Sequence, residues 1–256
     1  MYSAERRQEI LALIGKRSRV SVDYLADYFG VSHSSIRRDL SQLHEEGLLT
    51  RTYGGAVAVN GHALVEPPFC ERKVANFEEK DRIGRAAAQL VDNGETIFVD
   101  GGTTTECMVP YLLDKQITVV TYGLNIMNRL SASTTVTVIA VGGIVNNVAQ
   151  TFAGAFALAN LQNYNIRFDK TFMAASGAAV AAGVTNASLE EIPIKRKAIE
   201  VGQQNILLVD TSKIGVIRAG LIAPLCEIHQ LITGAAAPKE EIKAMRETGL
   251  SVKLVV

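Results

Sequence analysis

Three runs in the chain set glycine backbone, hydroxyls and charge side by side. Asp100-Gly101-Gly102-Thr103-Thr104-Thr105 follows the apolar run Thr96-Ile97-Phe98-Val99. Glycines let a ligand approach the backbone closely, and free amides and threonine hydroxyls at a helix start can hold phosphate or sugar oxygens. Gly142-Gly143 makes a second open loop after the strand-like Val136–Val141 run. Asp210-Thr211-Ser212-Lys213 follows Ile206–Val209 and offers a carboxylate, two hydroxyls and an ammonium. Together these suit a polar, phosphorylated metabolite. Taken singly, a Gly-Gly pair also fits a plain turn, and Asp-x-x-Lys a local ion pair. A fourth group is of another kind: Arg37 and Arg38 stand among Ser32, Ser34, Ser35, Ser41 and Gln42. Short hydroxyl side chains let a helix enter a DNA groove about 12 Å wide, and arginine can pair with guanine O6 and N7 together.

The elements that must carry these residues are legible from periodicity. Ile10, Leu11, Leu13 and Ile14 follow helical spacing, and Val22, Leu25, Ala26 and Phe29 recur at i, i+3, i+4 and i+7 behind Ser21 as N-cap. Gly30-Val31 breaks that pattern. Ser32 can cap a third helix with Ile36, Leu40 and Leu43 facing inward, and Gly47 stops it. Two short helices joined so tightly predict a helix-turn-helix. On its second helix Ser34, Arg38 and Ser41 point outward, flanked by Ser35, Arg37 and Gln42. Leu48 to Val57 alternates, turns at Gly54-Gly55 and carries Arg51, as a small β-wing touching a phosphate would.

Asn60-Gly61-His62 and Pro67-Pro68 mark a linker, expected over residues 61–76 between a DNA-binding domain at 1–60 and a second domain at 77–256. In the second domain a helix is predicted from Glu78 to Leu90 and another from the Asp100 loop through Leu113, with one more around Ile194–Val201. Strands are predicted at Thr96–Val99, Ile117–Thr121, Val136–Val141, Thr171–Ala175, Ile206–Val209 and Gln230–Thr233. That alternation gives the fold class: α/β, an N-terminal winged helix-turn-helix followed by an α/β domain with a mainly parallel sheet, whose ligands bind beyond the strand C-termini.

Composition narrows the class of function. The 256 residues carry 26 Lys+Arg against 26 Asp+Glu, and the first 60 have a net charge of only +1, so placement rather than bulk charge must carry any nucleic-acid binding. Hydrophobic residues at 48% can bury a sizeable core. Cys70, Cys107 and Cys226 form no C-x-x-C, and the four histidines have no ligand spacing, so no metal site, disulfide framework or oxidising compartment is implied. His33 is open to two readings, a DNA contact or a plain residue of the capping region. The opening MYSAERRQEI has no apolar stretch after its charges, against a signal peptide. Ser131 to Ile166 carries no charge, yet Gly142, Gly143, Asn146, Asn147, Gln150, Asn160 and Gln162 interrupt it. It reads as buried strands and apolar surface, not a membrane span. Neither G-x-x-x-x-G-K-[ST] nor G-x-G-x-x-G occurs, so no nucleotide cofactor is expected.

Over nearly its whole length the chain resembles the DeoR family of bacterial transcription regulators. The residues that carry the resemblance are Arg6, Ile10, Ile14, the run Ser32-His-Ser-Ser-Ile-Arg-Arg-Asp-Leu40, and Arg51, Gly54, Gly55 and Ala56 in the wing. Further on come Glu66, Phe69, Arg72, Lys80, Asp100–Thr104, Gly142-Gly143, Ser176-Gly177, Gly183–Thr185, Lys195-Arg196 and Asp210–Gly215. The resemblance implies a cytoplasmic repressor of a carbohydrate operon, a dimer or tetramer on double-stranded operator DNA, with no enzymatic activity. It implies a C-terminal domain similar in fold to sugar-phosphate isomerases, sensing a small phosphorylated sugar. Carried over residue by residue, the effector candidates are Asp100, Gly101, Gly102, Thr103, Thr104, Gly142, Gly143, Lys195, Asp210 and Lys213. Tyr122 joins them as a departure, a phenol where the family has a small amide, and the neutral Val145-Asn146-Asn147 replaces a basic position. These departures leave a sugar-acid derivative as an alternative to a sugar phosphate. The competing function is an isomerase with an accessory DNA domain, for which Asp210, Glu190, Glu191 and Lys213 would supply base and electrophile.

Overall fold

The structure is a computed structural model and describes residues 3–17, 19–45, 48–52, 54–58 and 67–256. Gly47, Glu46, Tyr53, the Asn60-Gly61-His62 segment and Glu66 lie outside the described residues. The chain divides into two compact units, Met1–Pro67 and Pro68–Val256.

In the first unit α1 (Ser3–Arg17) leads to β1 (Arg19–Ser21), α2 (Val22–Phe29), α3 (His33–Glu45), β2 (Leu49–Thr52) and β3 (Gly55–Ala58). Ser21 caps α2 as expected, its hydroxyl accepting from Tyr24 N at 3.1 Å. Gly30 ends α2 in the left-handed region at φ +62, where a side chain is strained. Ile10, Leu25, Ile36, Leu40 and Leu43 meet in one core, each contributing about 1.5–3 kcal/mol of burial. The wing has three strands in the order β1-β3-β2, all antiparallel. Its turn falls one residue earlier than predicted. Thr52 pairs with Gly55, so Gly55 is a strand residue, and a Cβ there would lie 2.1 Å from the Val20 carbonyl oxygen of β1.

The second unit runs α4 (Phe69–Val74), α5 (Phe77–Ala88), β4 (Thr96–Val99), α6 (Thr103–Glu106), β5 (Thr118–Thr121), α7 (Leu124–Leu130), β6 (Thr137–Ala140), β7 (Ile144–Asn146), β8 (Thr151–Ala153) and α8 (Gly154–Tyr164). It continues with β9 (Phe168–Met173), β10 (Gly177–Ala179), β11 (Gly183–Asn186), α9 (Ile192–Val201), β12 (Gly202–Leu208), β13 (Gly220–Ala223), β14 (Gln230–Gly234), α10 (Lys239–Glu247) and β15 (Ser251–Val255). Seven strands form one sheet in the order β15-β14-β12-β9-β4-β5-β6, and every pairing in it is parallel. Alternate residues serve opposite faces. Phe98, Val120, Met173 and Leu207 pack with α8, α9 and α10. Ile97, Val119, Phe172 and Ile206 pack with α5 and α7. Burial on both faces is why these strands read as continuous apolar runs. From β4 the chain moves outward through β5 and β6, then returns to place β9 on the other side of β4. The order reverses there, and such a switch point opens a crevice at the strand C-termini.

Several expectations need correction. Residues 69–74 of the expected linker are helix α4, anchored in the second unit by Phe69 N donating to Val148 O at 3.0 Å. The helix expected through Leu113 stops at Glu106, and a 3-10 turn at Val109–Tyr111 containing Pro110 follows, since proline cannot donate to a continuing helix. The uncharged Ser131–Ile166 stretch holds helix α8 as well as strands. Among the described residues no helix is long and apolar enough to cross a membrane.

Candidate functional site

On α3 the inward residues are Ile36, Asp39, Leu40 and Leu43. Ser34, Arg37, Arg38 and Gln42 are exposed, and Ser35 and Ser41 half-buried. The Ser32 hydroxyl lies 2.8 Å from that of Ser34 and 3.0 Å from that of Ser35, a cluster at the helix start. Ser41 Oγ donates to Arg37 O at 2.8 Å and accepts from Arg51 Nη1 at 2.8 Å, which ties the wing to the helix. Gln42 accepts from Arg7 of α1. Arg37 and Arg38 have neither an ion pair nor a side-chain hydrogen bond among the described residues. The helix thus presents two uncommitted guanidinium groups beside hydroxyls, the arrangement that base edges and phosphates take. Sequence reasoning passed over Asp39. It is 4% exposed and accepts from Arg6 Nε at 2.6 Å, joining α3 to α1. Its signal was an acid set between Ile36 and Leu40 on the apolar face.

At the switch point of the sheet stands Asp100, fully buried after β4. Its Oδ1 accepts from Gly101 N at 2.8 Å and from the Tyr122 hydroxyl. Its Oδ2 accepts from Ala174 N at 2.8 Å and from Lys195 Nζ at 2.6 Å. One carboxylate therefore binds together the ends of β4, β5 and β9 and helix α9. Lys195, 3% exposed, also donates to Ala174 O at 3.0 Å and lies 3.9 Å from Glu191 Oε2. Glu191 in turn accepts from Thr151 Oγ1 at 3.1 Å and Asn186 Nδ2 at 3.2 Å. Of the predicted effector residues, Asp100, Gly101, Tyr122 and Lys195 belong to this network, and the sequence did not indicate that Thr151 and Asn186 join it. A Cβ on Gly101 would fall 2.4 Å from Thr151 Cγ2, and one on Gly102 2.4 Å from Ala174 Cβ, so this pair lets the loops close over one another. Thr103 and Thr104 are buried in α6. Tyr122 is a core aromatic, stacked on Phe98 at 6.0 Å.

The other candidates lie elsewhere. Gly142 O accepts from Asn160 Nδ2 at 2.9 Å. A Cβ on Gly143 would lie 2.8 Å from Ala157 Cβ, so this glycine seats α8. Asp210, after β12, accepts at Oδ1 from Asn76 Nδ2 and Ser212 N, both at 3.0 Å, and from Ser212 Oγ at 2.5 Å. Its Oδ2 is 4.0 Å from Lys80 Nζ. Burial works to raise the Asp210 carboxyl, but the Ser212 hydroxyl with Lys213 and Lys80 outweighs it and holds the group below its ordinary range. Burial lowers the Lys80 ammonium despite Asp210; Lys80 also donates to Arg72 O. Glu79 accepts from Thr211 N at 2.7 Å. Lys213 is half-buried, and its ammonium has no hydrogen bond or ion pair among the described residues. The residues nominated for isomerisation are split: Glu191 sits in the Asp100 network, Asp210 in the second cluster, and Glu190 is exposed. No group of three or more His, Cys, Asp or Glu among the described residues could hold a metal ion.

Residues 6–61 match the DeoR-like helix-turn-helix domain, and residues 75–235 the DeoR C terminal sensor domain. The chain is 34% identical over 255 residues to the uncharacterized HTH-type transcriptional regulator YulB of Bacillus subtilis (strain 168), covering 100% of this chain and 98% of that protein. It is 29% identical over 255 residues to the glycerol-3-phosphate regulon repressor of Escherichia coli (strain K12), covering 99% and 100%. Among solved structures, ribose 5-phosphate isomerase A from Methanocaldococcus jannaschii aligns with a TM-score of 0.40 at 13% identity, over 54% of this chain and 55% of that one.

Proposed function

The chain belongs to the DeoR family of helix-turn-helix transcriptional regulators, and from that premise we propose that it is a repressor of a carbohydrate-catabolism operon, released by a phosphorylated sugar or sugar-acid intermediate. It acts in the cytoplasm as a homo-oligomer on double-stranded operator DNA. The observation that carries this reading is the outward face of α3, where exposed Arg37 and Arg38 have no side-chain hydrogen bond or ion pair among the described residues while Arg6, Arg7 and Arg51 are each engaged within the unit. Arg38 reads a base edge, Arg37 holds the backbone, and Ser32, Ser34, Ser35 and Ser41 line the groove.

The effector half of the proposal rests on the reversal of strand order at β4/β9, the place where such sheets bind ligands, and on Lys213. A half-buried ammonium shortly after a parallel strand, in the field of Asp210 but without a hydrogen bond among the described residues, can take a phosphate or carboxylate. A full-length relative named for glycerol-3-phosphate points to the same chemistry. The effector acts by binding the DNA-competent and DNA-incompetent arrangements with different affinity.

The test is operator binding followed by fluorescence anisotropy, with and without a panel of sugar phosphates and sugar-acid phosphates. Arg38→Ala is expected to weaken binding by about 1–3 kcal/mol, roughly 5- to 150-fold, and to relax preference at one base position. One member of the panel is expected to release the wild-type chain. Unchanged operator affinity in Arg38→Ala would overturn the DNA assignment, and a panel that releases nothing would overturn the effector class.

A further inference from the structure

Helix α8 and the β7–β8 hairpin leave an apolar face uncovered in the second unit. Phe156 is 69% exposed, Ile144 62% and Leu189 53%. Beside them a groove of about 410 Å³ is lined by Ile144, Ala153, Ala155, Leu158 and Pro193, with Asn146 and Glu190 at its polar edge. We infer that this face pairs with the same face of a second copy of the chain, Phe156 of each copy entering the groove of the other.

Three observations select that occupant. Helix α8 and the β7–β8 hairpin come from Ser131–Ile166, 36 residues without one charged side chain in a protein that is 20% charged, whereas Leu189, Glu190 and Pro193 come from the turn into α9, with the Glu190 charge at the groove edge. In a two-fold contact a patch meets its own copy, so a charge near the axis would meet its like; α8 and the hairpin bring none to it. A different protein would be selected by complementary charges, and a lipid surface by Lys or Arg on the helix; α8 carries neither. Next, knob and groove share one helix. Ala155 and Leu158 line the groove, and Phe156 stands on the exposed side of the same turn. A two-fold axis turns that into two reciprocal insertions, residue i on residue j and j on i. Finally, the exposed apolar side chains present on the order of 400 Å² per copy, about half of the ~800 Å² per partner of a standard interface.

This inference rests on the oligomeric reading above and names the surface that serves it. It is tested by sedimentation velocity of the full chain over a concentration series, with circular dichroism melts as the check on folding. Wild type is expected to self-associate. Phe156→Glu and Ile144→Glu, both at exposed sites, are expected to weaken that association at least tenfold with unchanged melts. Phe156→Ala, which adds no charge, should shift it in the same direction. Leu254→Glu, on strand β15 at the opposite edge of the sheet from β6, should leave it intact. If wild type associates and all three variants at Phe156 and Ile144 associate equally well, the surface is wrong and the oligomeric reading stands. A wild type that stays monomeric at every concentration overturns both, while operator binding by Arg38→Ala still judges the DNA assignment separately.

Discussion

Replacing Asp100 by alanine would take one acceptor from four donors at once, among them the buried Lys195 ammonium, which keeps Ala174 O and the Glu191 carboxylate. Removing one partner of a buried pair costs about 3–5 kcal/mol when the other charge is left uncompensated, and Glu191 sets this case at the lower end of that range. Asp100→Ala is therefore expected to lower the stability of the second unit by that amount in urea unfolding. Lys213→Ala, at a half-buried ammonium with no hydrogen bond or ion pair among the described residues and only a longer-range pull on Asp210, should cost less than about 1 kcal/mol and remove release from operator by the phosphorylated effector. A stable Asp100→Ala that loses only effector response would reverse these roles, making Asp100 a ligand and not a brace. The sequence marks Asp100 and Asp210 alike as carboxylates after strands, and nothing in their spacing separates them. What does is the partner, which for Asp100 lies 95 residues away at Lys195 and for Asp210 134 residues away at Asn76. Tyr122 shows the same limit: its ring packs in the core and its hydroxyl donates to Asp100, partners that no spacing announces.

At the scale of elements, the joint between α2 and α3 makes a clean case. Gly30 has φ +62, and nothing lies within 4 Å of the position its Cβ would take. The cost of Gly30→Ala is therefore conformational alone, about 1–2 kcal/mol for a left-handed L-residue. It should appear as a lower melting temperature of the DNA-binding unit with the second unit's melt unchanged; equal melts would mean that the chain relaxes out of the left-handed region without loss. Elements of this first unit were legible because their signals are local. The Ser21 cap, the Gly30 stop and the 3.6-residue spacing of Ile36, Leu40 and Leu43 all fall within a turn or two of one another. The central parallel strands were legible because both faces are buried. Helix α8 was not, since Ala, Gly and Asn fill it and only Ala157 and Leu161 point inward. Strands β10, β11 and β13 were not legible either. They form a small sheet whose pairing of Val184 with Ala223 depends on distant chain, not on alternation.

For the whole molecule, neutrality decides how DNA is recognised. With 26 basic and 26 acidic residues, the protein has no net charge to hold a duplex, so under the proposed oligomeric reading affinity comes from presenting two α3 helices to one operator at once. Joining two half-site contacts in one oligomer raises affinity through effective concentration. That holds only when both half-sites face the protein. Successive major grooves on one face of the duplex recur about every 10–10.5 bp, so the centres of the two half-sites should be separated by that distance or a multiple of it. Inserting ~5 bp between the half-sites turns one of them to the far side of the duplex, and binding is expected to fall toward that of a single half-site. Inserting ~10 bp restores the facing and should recover a substantial part of the loss. The Phe156→Glu variant separates geometry from contact. With its oligomer weakened it should bind a single half-site as the wild type does, yet bind the full operator little better and show almost no dependence on the insertion. If the wild type tolerates the ~5 bp insertion without loss, the two recognition helices are not held in a fixed relation, and the oligomer would then serve effector sensing, not operator geometry.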